Sequence, residues 1–196
     1  RLYGRANIWT ESARQTMCWT LIKVDSVDET IAQSRIGADM ARKIEGEQSV
    51  LLARYLDLLG SSYWMKAELD SAEQYATEAC AMFKQLTGSV PNDIQNDLTL
   101  VWRSKGKFEE AEKSFRQLYE NNRIAVGEFH PQTLLFAENL ATTFEQQRKY
   151  DEAEKWYEIA YQGRLKVLGP QHPFTQYTEK CLQWVRKQSL SSESIK

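Results

Sequence analysis

A chain of 196 residues that is 42% hydrophobic and 27% charged suits one domain or a short repeat array, and its composition excludes wholesale disorder. Its net charge of −2 gives no bulk attraction to phosphate backbones, and basic clusters such as Arg42-Lys43 and Arg186-Lys187 are pairs, not patches, so no nucleic-acid partner is expected. No apolar stretch approaches the ~20 residues needed to span a bilayer and no signal-peptide core is present, so no membrane role is expected either.

The predicted elements are helices throughout. Nine Gly, four Pro and the lack of long β-branched alternations argue against a sandwich or barrel. Ser26 to Gly46 (SVDETIAQSRIGADMARKIEG) ends a faint first repeat over 5–46. A second covers 47–88 and includes ELDSAEQYATEA, Glu68 to Ala79. The third, 89–129, carries GKFEEAEKSF (Gly106 to Phe115), which the fourth, 130–171, repeats 42 residues on as RKYDEAEKWY (Arg148 to Tyr157). The same offset relates His130-Pro131 to His172-Pro173 and Gly127 to Gly169, more coincidence than chance allows.

Each copy reads as two helices. In the fourth, Leu134, Leu135, Ala137, Leu140, Ala141 and Phe144 recur at helical spacing, and a polar turn at Gln146 to Lys149 follows. Asp151 is expected to cap the second helix, with Gly169 ending it and Pro170 and Pro173 preventing continuation. A cap helix over 173–188 and a disordered tail over 189–196 complete the expectation, and a chain opening inside apparent helix reads as a piece of a longer protein.

These strings, with LxLLGSSYW from Leu56 and NLATTFEQQRKYDEAEKWYEIAYQGRLKVLGPQHPFT from Asn139, resemble tetratricopeptide repeats, and more narrowly the 42-residue repeats of kinesin light chains. The resemblance implies an all-α fold, a right-handed superhelical solenoid of antiparallel helix pairs. It places Gly60, Ala72, Ala79, Ala111, Ala141, Ala153 and Ala160 where two helices approach closely. It also implies a protein or peptide partner held in a groove lined by the first helix of each pair. Counted from the Leu of each first helix, the groove positions are Arg54, Asp57 and Trp64, then Asn96, Asp97 and Arg103. Glu138, Asn139, Thr142 and Glu145 follow, then Lys180, Trp184 and Lys187 of the cap helix. Asn139 matches the family's peptide-clamping Asn, since an amide donates and accepts at once, and is otherwise a brace. Asp97 and Leu58 stand at the equivalent positions, and Arg164 matches a family Arg where Asn122 stands one repeat earlier.

Catalysis and cofactors are not expected. The two histidines lie one repeat apart in turns and read as caps, without Cys or carboxylates at metal-ligand spacing. Glu109-Glu110 and Asp151-Glu152 sit in helix first turns, where carboxylates complement the macrodipole. Cys18, Cys80 and Cys181 are far apart and read as reduced thiols of a cytosolic or nuclear protein, a cytoplasmic one being expected, with Cys80 in the core. The expected function is non-enzymatic binding of a partner segment, or of other domains of the same longer chain. The alternatives are a sensor segment of a signalling NTPase and a regulator that binds a small peptide.

Overall fold

The computed structural model describes residues 27–193, with side chains to Ser191. Among the described residues there are eight helices and no strands. They are α1 (Val27–Glu45), α2 (Val50–Met65), α3 (Leu69–Thr87), α4 (Asn92–Ser104), α5 (Phe108–Val126), α6 (Pro131–Gln146), α7 (Tyr150–Leu168) and α8 (Pro173–Glu193). The all-α reading of the sequence holds, although the start of the repeat over 5–46 lies outside the described residues. The chain forms two compact units that divide at Lys105/Gly106, in the turn between α4 and α5.

In the first unit α2 is the central helix, packed by α1, α3 and α4. Leu52, Tyr55, Leu56, Leu58 and Leu59 are buried, so α2 is apolar nearly all round. Each such side chain withdrawn from water contributes ~1.5–3 kcal/mol. The crossing of α2 and α3 is close because Gly60 has no side chain: a Cβ there would stand 3.1 Å from the backbone N of Ala76 and 3.3 Å from the carbonyl O of Ala72. The second unit repeats this scheme, α6 packing on α5 and α7, and α7 on α8. Phe115, Phe136, Leu140, Tyr157 and Leu182 form its interior, with Ala111, Ala141, Ala153 and Ala160 fully buried where the sequence places small residues.

The turns closing the α2–α3 and α6–α7 hairpins share one geometry. Ala67 and Arg148 both have φ 59°, as Gly106 has φ 75° at the equivalent place. Glu68 N–H donates to Tyr63 C=O and Lys149 N–H to Phe144 C=O, at 2.9 and 3.0 Å, which satisfies helix-terminal carbonyls. That bonding holds a left-handed residue without requiring glycine.

Two element ends depart from the sequence reading. Asp151 is not the cap of α7: the helix begins at Tyr150, Lys149 precedes it without a side-chain cap, and Asp151 and Glu152 occupy the first turn. The last helix runs on to Glu193, past the expected boundary at 188. Ser189 Oγ donates to Asp151 Oδ1 and Ser191 Oγ to the Lys187 carbonyl at 2.8 Å, so these serines have partners that the local pattern does not show.

Candidate functional site

The first helix of each pair carries the positions expected to face a partner, and the two units use them differently. In the second unit, α6 and α8 border an apolar cavity of about 690 Å³. Its walls include Leu134, Leu135, Val167, Leu168, Phe174 and Tyr177. Phe174 is 61% and Tyr177 56% exposed, so two aromatic rings beside Leu135 form contiguous exposed apolar surface at this cavity. A second cavity of about 350 Å³ adjoins it through Tyr177 and is lined by Glu145, Lys180, Cys181 and Trp184. Trp184 is 45% exposed, with its ring edge-to-face on Tyr150 at 5.9 Å. Glu145, Lys180 and Trp184, three of the expected groove positions, thus line one cavity, while Lys187 is exposed three residues beyond.

The charged groups of the larger cavity satisfy one another. Arg164, buried on α7, pairs with Glu138 Oε2 and reaches Thr178 Oγ1 of α8, which itself donates to the same carboxylate oxygen at 2.7 Å. Its guanidinium also lies 5.5 Å from the centre of the Phe174 ring. Three helices meet in this network. Glu138 lines this cavity, with its carboxylate oxygen taken up by Arg164 and Thr178. Thr142 is likewise occupied, bonding the Glu138 carbonyl and the Tyr157 hydroxyl, each at 3.0 Å. Tyr157 donates to Glu145 at 2.6 Å, and burial pushes its hydroxyl well above the usual range. Burial and then the nearby Glu138 and Glu145 carboxylates raise the Cys181 thiol, which favours the uncharged form. Asn139 is half-buried and lines neither cavity.

Leu135, Phe174 and Tyr177 are not among the groove positions read from the sequence. The signal that finds them is helical spacing, since Leu135 lies three residues before Glu138, and Tyr177 three before Lys180 and seven before Trp184.

In the first unit the corresponding side chains are turned toward each other. Arg54 Nη1 pairs with Asp93 Oδ2 at 2.9 Å and its guanidinium covers Phe83. The Trp64 indole N–H donates to Ser104 Oγ at 2.7 Å. Asn96 Nδ2 donates to Asp97 Oδ1 at 3.2 Å and Ser61 Oγ to Asp97 Oδ2 at 2.7 Å. Arg103 is half-buried. Asp57 contradicts its expected place on an open face: it is only 2% exposed, and its Oδ1 has no hydrogen-bond partner. Burial, then the Asp97 and Asp93 charges, push its carboxyl up to about 8 against a partial opposing effect of Arg54.

A proton on Asp57 has a consequence for stability. From the ordinary value of 3.8 up to about 8 the folded chain keeps a proton that the unfolded chain has released, so this group makes stability fall as pH rises through that window. Asp57→Asn, which has no proton to lose, is expected to be more stable than the parent by several kcal/mol at pH 8, because it removes that linked cost. The gain shrinks toward nothing near pH 4. Thermal melts of both proteins across that range check it, and a gain independent of pH would contradict it.

Among the described residues no group of three or more His, Cys, Asp or Glu side chains could hold a metal ion. The histidines act as the sequence suggests, His130 Nδ1 accepting from Gln132 N–H and His172 Nδ1 from Phe174 N–H, each at 3.2 Å. No described helix is long and apolar enough to cross a membrane.

Comparison with known proteins bears on this arrangement. The tetratricopeptide-repeat family profile matches residues 94–166. No curated protein sequence matches the chain. Among solved structures, BtubC (BKLC) from P. vanneervenii is similar at a TM-score of 0.77 and 19% identity, with 92% of this chain and 73% of that one covered. A Podosopora anserina protein with nearly identical TPR-like repeats, described as kinesin light chain-like, is similar at 0.77 and 16% identity, over 93% of this chain and 88% of that one. RapI in its apo form is similar at 0.74 and 15% identity, over 92% and 64%. At these identities the likeness is one of fold.

Proposed function

We propose, from the premise that this chain carries tetratricopeptide repeats over residues 94–166, that it is a non-catalytic interaction module whose α6–α8 face holds an extended segment of a partner protein. The apolar cavity carries this reading. Leu135, Phe174 and Tyr177 leave exposed apolar surface around a volume suited to one or two large side chains. The charges at its edge, Glu138 and Arg164, already neutralise each other, so an uncharged apolar anchor enters without leaving an ion unpaired. Lys180, Trp184 and Glu145 in the adjoining cavity supply polar and aromatic contacts along the rest of the segment. Both histidines serve as caps, which fits a binding role without chemistry, and cysteines without a disulfide pattern fit a cytoplasmic setting.

Capture of partners with the full chain, followed by calorimetric titration of the segment found, tests this. Tyr177→Ala is expected to weaken that segment by about tenfold or more, the scale of losing a buried aromatic anchor. Affinity unchanged by Tyr177→Ala would place the partner elsewhere. Competition by a second copy of this chain or by one of its own segments would replace the partner named here.

A further inference from the structure

The internal repeat offers a comparison within the molecule. Glu138 of α6, two residues before Leu140, corresponds to Asp57 of α2, two before Leu59. In the second unit Glu138 is neutralised by Arg164 and bonded by Thr178. Counted from Gly169 and Gly88, which end α7 and α3, the residue standing for Arg164 is Phe83. Counted from Leu182 and Leu98, the residue standing for Thr178 is Ile94, while Asp97 stands for Cys181. The first unit has thus kept the carboxylate, put apolar side chains in place of both its partners, and added a second carboxylate.

Phe83 and Ile94 are buried, and neither side chain can donate to Asp57. Arg54 is the cation that acts on it, but its guanidinium is bound to Asp93 and lies over the Phe83 ring. Asp97 is more open to solvent than Asp57 and accepts from Ser61 and Asn96. Among the described residues, α3 contributes Cys80, whose thiol burial and these two carboxylates raise to about 12. From α1, Arg35, Asp39 and Arg42 line a cavity with Leu56, Leu59 and Tyr75.

We propose that the α2–α4 face of the first unit is a receptor for one basic side chain, an arginine or lysine of a partner segment, which pairs with Asp97 and supplies Asp57 with the positive charge that Arg164 supplies to Glu138. A guanidinium suits it best, because it can bond Asp97 and still present N–H groups toward the buried Oδ1 of Asp57. The site is independent of the apolar cavity on α6 and α8. Binding ionises Asp57: the arriving cation stabilises the carboxylate, one proton leaves to solvent, and no covalent bond changes. Affinity therefore rises with pH until the free carboxyl is itself ionised near 8.

The probes are the pentapeptide acetyl-Gly-Gly-Arg-Gly-Gly-amide and its citrulline counterpart, which has the same shape without the charge. Each is titrated into the full chain while backbone amide resonances of α2 and α4 are followed at about pH 6.5 and about pH 7.5. The arginine peptide is expected to shift amides around Asp57 and Asp97, with its Kd falling by nearly tenfold over that pH step for one linked proton. The citrulline peptide leaves them unmoved. Asp57→Asn, which removes the proton without removing the shape, flattens the pH dependence, and Asp97→Asn weakens binding at both pH values. Equal binding of the two peptides overturns the proposal. So do unmoved amides with the arginine peptide, or a pH dependence that survives in Asp57→Asn.

Discussion

Arg164→Met is expected to cost the protein about 3–5 kcal/mol, the usual loss when one partner of a buried ion pair is removed and the other stays charged. Arg164 joins three helices by its contacts with Glu138 of α6 and Thr178 of α8. Methionine keeps most of the aliphatic stem, so the loss reports on charge and not on volume. For a domain of this size the melting temperature should fall by roughly 10 °C or more. Glu138→Leu on the Arg164→Met background should recover most of it, because both charges are then gone from an apolar neighbourhood. A single variant that melts within about 2 °C of the parent would show that the pair does not hold these helices together.

Ala153→Arg should be comparably severe for a different reason. Ala153 is fully buried on α7, at the repeat position where Ala72 meets Gly60 across the α2–α3 crossing. A large side chain there either separates α6 and α7 or carries a charge inward without a counterion, and the expected loss is several kcal/mol, on the order of 3–5. Lys155→Ala, two residues along the same helix and exposed, should change stability by less than about 0.5 kcal/mol. Chemical denaturation of the three proteins separates these outcomes. An Ala153→Arg variant as stable as the Lys155→Ala control would mean that the close crossing has been misplaced.

The helix pairs were legible because a repeat prints the same packing constraint several times. Gly88, Gly127 and Gly169 each end a second helix with positive φ, and Ala72, Ala111 and Ala153 are each buried at its start. What is settled by turn bonding and by contacts between helices was not legible. Asp151 reads locally as a cap, yet α7 starts one residue earlier, its turn fixed by backbone bonds to Phe144 and Glu145. Ser189 and Ser191 read as tail until Asp151 and the helix backbone provide their partners.

The site shows the same division. Counting from the repeated Leu of each first helix puts Glu145, Lys180 and Trp184 on one face, and the three line one cavity, because side-chain direction on a helix follows from position. The surroundings of buried Asp57 and half-buried Glu138 depend on what α3 and α7 bring beside them, Phe83 in one case and Arg164 in the other. No periodicity in α2 or α6 carries that information. Leu135, Phe174 and Tyr177 read as further apolar residues of helical stripes, and only the packing shows that they stay exposed around a cavity.

The central claim is that a partner segment buries an apolar anchor between α6 and α8. The most direct measurement is calorimetric titration of the captured segment against the parent chain, Leu135→Glu and Lys155→Ala. Leu135 is exposed at the cavity wall, so glutamate can be accommodated in the free protein but places an unpaired charge where the anchor must sit. The account predicts that Leu135→Glu weakens binding by about tenfold or more, with the fold intact by circular dichroism, while Lys155→Ala binds as the parent does. Equal affinity for the parent and Leu135→Glu, or a loss confined to Lys155→Ala, would contradict it.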